Sequence, residues 1–210
     1  MNLFTPSSVR WTDGSTKLAL AQVTRYPFDN KIEIQVSSSA PHECTIYARI
    51  PAWATPNPVV IVNGRRVADA IEPGHFVALH NTWKDGDRIE IELPMPLRLE
   101  AVDANHPNLV ALLQGPVVLM AVAETQPTFD AQSLLLAKSL NNAAGDWSAT
   151  SADGAQVTMR PFMSIDKESC LLYTSRMLLN GYGNRFNLTR TARRCDSAWA
   201  LNRSSVWARA

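Results

Sequence analysis

Two runs of strict alternation constrain this chain more than any other feature: Lys31-Ile32-Glu33-Ile34-Gln35-Val36 and Arg88-Ile89-Glu90-Ile91-Glu92-Leu93. Successive side chains of a strand point to opposite faces, so each run makes one dry face and one wet face. Both need a partner layer over the isoleucines, which an antiparallel sandwich supplies. Turn signals punctuate the chain between and beyond them. Asn63-Gly64, flanked by Val59 to Val62 and Arg65-Arg66-Val67, predicts a type I′ hairpin, because both central residues must take positive φ. Asp13-Gly14, Glu72-Pro73-Gly74, Asp85-Gly86 and Asp153-Gly154 mark further turns.

The remaining segments fit the same scheme. Residues 3–11 predict an opening strand, and residues 18–23 a second. Cys44, Ile46, Ala48 and Ile50 line one face of another, with Thr45, Tyr47 and Arg49 on the other face. Pro51 ends that ladder because it brings no amide hydrogen. Residues 88–93 read as a strand whose charged face guards a sheet edge. The apolar runs around Gly115-Pro116 predict two strands buried on both faces, and Ser133 to Leu140 a short helix. Trp147 to Thr150 and Val157 to Phe162 predict a last hairpin. The fold class expected is all-β: an antiparallel, jelly-roll-like β-sandwich over 1–102, a second, partial β region over 103–169, and an irregular tail over 170–210.

The tail differs in charge. It holds seven arginines and one acid, Asp196, whereas residues 1–169 hold thirteen basic and eighteen acidic residues. Its start, Cys170-Leu171-Leu172-Tyr173-Thr174-Ser175, resembles one reading frame of a transposon end used to fragment DNA for sequencing. The tail is therefore expected to be non-native or disordered, and its arginines no nucleic-acid patch.

Chemistry-bearing residues are scattered. Cys44, Cys170 and Cys195 form no zinc-spaced cluster. His42, His75, His80 and His106 lie in or beside turns; only His75 and His80 could meet one ligand. Glu90 and Glu92 share a strand face, whereas glycosidic acid/base work needs two carboxyls facing each other across a cleft. A solvated sheet face explains them better. There is no Gly-rich phosphate loop, and no catalytic or metal-ligating residue is expected. Candidates for substrate binding are Trp53, Trp83 and Tyr47, as a platform on which sugar rings could stack. For Trp53 the reading preferred is a structural role, covering a sandwich end or packing on a neighbouring domain, with sugar stacking as the alternative. No apolar run reaches 18 residues, so no membrane span is expected. Met1 to Pro6 lacks the pattern of a signal peptide, which leaves the compartment open.

Several segments, in order, resemble one family: Asn2-Leu3-Phe4 with Pro6-Ser7, Ile50-Pro51-Ala52-Trp53, Val62-Asn63-Gly64, Trp83-Lys84-Asp85-Gly86-Asp87, Leu93-Pro94-Met95-Pro96, Val110-Ala111-Leu112, Gly115-Pro116-Val117-Val118 and Arg160-Pro161-Phe162. Each is a common turn or strand end, but together residues 2–169 resemble the region after the catalytic barrel in glycoside hydrolase family 127, the β-L-arabinofuranosidase-like proteins. The resemblance implies an (α/α)6 barrel carrying a zinc-bound nucleophilic cysteine and a glutamate acid/base. This chain has no adjacent cysteine pair and no Glu-x-Cys triplet, so no catalytic residue carries over. The implied function is a noncatalytic β-sandwich that packs against and supports that barrel, with arabinose-containing, plant-type glycans as substrate of the whole. No cofactor is expected in this chain, zinc being implied for the barrel alone. Neither nucleic acid nor membrane is expected as partner. The alternatives are a free-standing carbohydrate-binding module and a structural oligomerisation domain.

Overall fold

The computed structural model describes residues 1–67, 71–101, 103–105, 110–123, 125, 127–165, 172–173 and 176–177. The chain forms two compact units. One comprises residues 1–98 with 113–117, and the other residues 99–112 with 118–210.

The first unit is the sandwich. Its strands are β1 (Ser7–Asp13), β2 (Thr16–Thr24), β3 (Lys31–Ser38), β4 (His42–Arg49), β5 (Val59–Val62), β6 (Arg65–Arg66), β7 (Phe76–Trp83) and β8 (Arg88–Glu92). Six of them make one antiparallel sheet, in the order β1-β2-β3-β8-β5-β6. β4 and β7 pair antiparallel as a separate two-stranded layer. The two alternating runs lie side by side, with Ile32 opposite Ile91 and Ile34 opposite Ile89. All four side chains are buried in one cluster with Leu20, Val60 and Leu93 from the large sheet side and Ile46, Leu79 and Trp83 from the small layer. Removing one such buried aliphatic side chain from water contributes about 1.5–3 kcal/mol.

Local chemistry sets the connections. Asn63 takes φ 50° and Gly64 φ 76°, as a type I′ turn requires. The Asn63 side chain also accepts from the Arg88 amide at 2.9 Å, which ties the turn to the start of β8. That hairpin lays β5 along β8, with Val62 opposite Ile89. β8 is therefore an interior strand, not the guarded edge expected from its charges. The opening strand starts at Ser7 rather than at residue 3. Pro6 interrupts the ladder, and the buried Gln22 amide instead donates to the carbonyls of Leu3 and Thr5.

The other strands are β9 (Leu97–Ala101), β10 (Val110–Gln114), β11 (Val117–Val122), β12 (Thr128–Phe129), β13 (Lys138–Ser139), β14 (Trp147–Thr150), β15 (Gln156–Pro161), β16 (Leu172–Tyr173) and β17 (Arg176–Met177). A second sheet runs β13-β14-β15-β11-β10-β9, with β16 beside β11. The Gly115 turn joins β10 to β11 at φ 53°, and a Cβ there would meet the Met95 side chain at 2.9 Å. β11 alternates buried with half-buried residues rather than being covered on both faces. The helix α1 is shorter and earlier than expected, Ala131–Leu135. Asp130 caps it by accepting from the Ser133 amide and hydroxyl, both at 2.8 Å. Lys138 and Ser139, which helical periodicity would have included, instead pair with Ser148 and Trp147. The expectation for 170–210 lies outside the described residues, apart from β16 and β17.

Two substitutions test this packing. Ile89→Ala should lower unfolding free energy by about 2–5 kcal/mol. Val23→Ala, at an exposed position of β2, should stay within about 0.5 kcal/mol. Urea titration of both variants measures the difference.

Candidate functional site

The register of β4 against β7 decides where the sugar-stacking candidates point. Tyr47 lies opposite Ala78 on the outer face of the small layer and is exposed. Trp83 ends β7 on the inner face and is fully buried, its indole N–H donating to the Cys44 carbonyl at 3.0 Å. A ring enclosed on both faces cannot receive a sugar, so Trp83 leaves the proposed platform. Trp53 is half-buried against the core cluster and stacks on Tyr26, centroids 6.5 Å apart and planes 16° apart. Tyr26 meets Phe4 edge-on at 5.6 Å, so the three rings form one packed column. Burial raises the Tyr26 hydroxyl pKa, and the nearby Arg49 charge partly offsets that. Trp53 thus packs within this column, and the structure does not bring Tyr47, Trp53 and Trp83 onto a common face.

The titratable side chains are similarly dispersed. His42 Nε2 lies 3.1 Å from the Asp13 carboxylate. Cys44 stands nearby, half-buried, and its thiol pKa is raised first by burial and then by the Asp13 charge. A thiol so placed stays protonated and is a poor nucleophile or ligand. His75 faces Glu72 at 3.8 Å in a turn, while His80 is held elsewhere on the outer face. Its Nε2 lies 3.0 Å from Glu43 and its Nδ1 3.1 Å from the Thr45 hydroxyl. This three-residue arrangement was not legible in the sequence, because the β4–β7 register alone puts Thr45 opposite His80. It lies on the solvent-exposed outer face of the small layer. Glu90 and Glu92 occupy the solvated face of β8, where Asn30 donates to Glu92 at 3.2 Å. His106, Cys170 and Cys195 lie outside the described residues. Among the described residues, no three or more His, Cys, Asp or Glu side chains gather where a metal ion could bind. The described residues therefore offer no ligand set for the zinc that the family resemblance implies for a barrel.

The same residues have relatives. Residues 1–95 match a family described as "Beta-L-arabinofuranosidase, GH127 middle domain". Residues 1–95 are thus similar to a GH127 middle domain. The matched residues all belong to the first unit, so the match falls on the sandwich. A curated relative from Bifidobacterium longum subsp. longum, named a non-reducing end β-L-arabinofuranosidase, is 28% identical over 118 residues, covering 52% of this chain and 18% of the relative. A solved GH127 β-L-arabinofuranosidase from Geobacillus stearothermophilus T6 superposes with TM-score 0.60 and 19% identity, covering 77% of this chain and 30% of that one. A solved GH127 β-arabinofuranosidase superposes with TM-score 0.55 and 20% identity, over 77% and 32%. At such identities the superpositions establish the fold. The middle domain and the unit after it span under a third of these solved relatives.

Outside the middle domain, the second unit contains a buried polar network that sequence reading missed. The Asp146 carboxylate, almost fully buried, accepts from Arg160 Nε and an Arg160 terminal nitrogen, each at 2.8 Å, and from Asn142 at 3.0 Å. The Arg160 hydrogen bond is the largest cause of the lowered Asp146 pKa, with burial opposing it. The only signal available was the Arg160-Pro161-Phe162 motif, which does not reveal the partner.

Two predictions follow from this geometry. Trp83→Phe leaves the Cys44 carbonyl without its donor and should cost about 1–3 kcal/mol. Because the folded Asp146 pKa lies below the unfolded one, its contribution is complete above the unfolded value near 4 and is lost as pH falls through the folded value. Acid unfolding of the full chain should therefore steepen below about pH 4, and Asp146→Asn should remove that part of the slope. Circular dichroism against pH measures it.

Proposed function

We propose that this chain is a noncatalytic supporting portion of a β-L-arabinofuranosidase-like glycosidase. Its sandwich packs against an (α/α)6 catalytic barrel and helps shape the cleft wall. The observation that carries this reading is the middle-domain match over residues 1–95. The relatives' greater length supports it, since this chain spans only 18% of one and 30% of another. The chemistry of the described side chains agrees. Bond cleavage at an anomeric carbon needs two carboxyls about 5–10 Å apart across a cleft, or an activated nucleophile. Glu90 and Glu92 share one solvated strand face, and the Cys44 thiol is held protonated. In the assembled enzyme the substrates would be glycans carrying arabinofuranose, as the relatives' names suggest. No helix among the described residues is long and apolar enough to cross a membrane.

A second reading, a glycan-binding module, draws on one observation. Tyr47 and Phe76 are both exposed on the outer face of the β4–β7 layer, in adjacent register positions. Saturable arabinan binding by the full chain, lost in Tyr47→Ala, would favour it.

The leading reading is tested in two steps. The full chain should not turn over an aryl β-L-arabinofuranoside, with or without zinc, and turnover would refute the noncatalytic role. Added to a family 127 barrel lacking its own middle domain, at about 100 times the dissociation constant, the chain should stabilise the barrel by about 2.7 kcal/mol. That is a rise of several degrees in the barrel's melting midpoint, and an unchanged midpoint would count against a supporting role.

A further inference from the structure

The turn between β5 and β6 carries a chemically reactive pair. Asn63 is followed by Gly64, and both are exposed. A backbone nitrogen can attack the side-chain carbonyl carbon of the asparagine before it, and a glycine brings no side chain to obstruct that approach. The Gly64 nitrogen gives its proton to base and bonds to the Asn63 side-chain carbon, while the side-chain nitrogen takes up protons and leaves as ammonia. The cyclic imide then takes up one water. Opening at one carbonyl gives aspartate. Opening at the other gives isoaspartate, in which the main chain runs through the former side chain.

The fold occupies every polar atom of that side chain. Asn63 Oδ1 accepts from the Arg88 amide at 2.9 Å, and Asn63 Nδ2 donates to Asp87 Oδ1 at 3.0 Å. The Asn63 backbone amide donates to the Arg88 carbonyl at 3.0 Å, so backbone and side chain both hold the start of β8. Asp87 is itself fixed, because its Oδ2 accepts from the Lys84 amide at 2.8 Å. Cyclisation turns the carboxamide toward Gly64 and expels Nδ2, which costs the bonds to Arg88 and Asp87. Local opening of the hairpin from β8 removes that cost.

We propose that Asn63 is a latent modification site, kept as asparagine by its side-chain bonds to Asp87 and Arg88 and converted to aspartate or isoaspartate when they open. The product alters the tie it came from. A carboxylate stands where a donor faced Asp87, so two like charges meet at hydrogen-bond distance. The site lies at the surface, where water screens part of the repulsion. Asp-Gly still suits a type I′ turn, so for aspartate the loss falls on the tie rather than on the turn. Isoaspartate lengthens the main chain and also displaces Arg65 from its place opposite Val62. Opening thus permits conversion, and conversion favours the open form. The inference is independent of any role toward a catalytic barrel.

The test follows the full chain by peptide mapping and mass spectrometry. Trypsin releases residues 50–65, whose other asparagine, Asn57, precedes a proline with no amide hydrogen to give up. At mildly alkaline pH, conversion in this peptide should run at least about tenfold slower in the folded chain than in the chain unfolded by urea. Asp87→Ala removes the acceptor of Nδ2; it should raise the folded-state rate at least about threefold and leave the unfolded rate unchanged. Asn63→Asp should lower the urea midpoint by roughly 0.3 M. Combining it with Asp87→Asn should recover the midpoint, because donor and acceptor trade places. This arm decides the matter even if Asp87→Ala fails to fold. Equal rates in folded and unfolded chains overturn the proposal, as does an unchanged folded-state rate in Asp87→Ala. An Asn63→Asp midpoint equal to the parent's, or one that the exchanged pair does not recover, equally overturns it.

Discussion

The contact between β3 and β8 organises the first unit. These strands are separated by half a hundred residues of chain, yet Ile32, Ile34, Ile89 and Ile91 interleave across them and lie fully out of water. Each strand alternates isoleucine with charged or polar residues, so a shift of one position would drive charges into the core. The register is therefore fixed by burial as well as by turns. β2 extends the sheet on one side through Leu20 opposite Val36, and β5 extends it on the other through Val60 opposite Ile91. β4 and β7 then close over the dry face with Ile46, Ala48, Leu79 and Trp83. Loop-closure entropy grows only slowly with length, so a long intervening segment is tolerable once such a contact forms.

The same interaction governs how the described side chains of this unit are disposed. Side chains that reach inward are mostly aliphatic, and the aromatic and polar ones are fastened by specific bonds, such as the Trp83 indole to the Cys44 carbonyl and the Gln22 amide to those of Leu3 and Thr5. Side chains that reach outward sit singly or in pairs on open faces, among them Glu43 with His80 and Arg88 with Glu33. Water screens such pairs, so they contribute little to stability. In the second unit the buried Asp146 carboxylate accepts from Arg160 through both of its oxygens and from Asn142. That is the arrangement of a structural clasp, because the carboxylate oxygens are already occupied.

Much of the fold was legible because its signals are local. Asn63-Gly64, Asp153-Gly154 and the alternating runs each name their own conformation, through positive φ or through a period of two. The failures have one cause, which is that a strand's neighbour is not written in the strand. The charges of β8 looked like edge protection, whereas β5 lies beside it. The apolar periodicity of residues 133–140 looked helical throughout, whereas Lys138 and Ser139 found a strand partner. For the candidate platform the same limit applied. Tyr47, Trp53 and Trp83 are all large aromatics near turns, but only pairing and packing separate an outward ring from an enclosed one.

The sequence by itself determined the class of architecture, the places where the chain must reverse, and which face of each strand is dry. Those follow from backbone sterics and from the alternation of side chains along a single extended segment. Tertiary structure alone decided which strands are neighbours, and hence that β8 is interior, that Trp83 is sealed and that Thr45 meets His80. The reason is physical: hydrogen bonds between strands are made by backbone groups that every residue shares, so their pairing is chosen by the collective burial of many side chains.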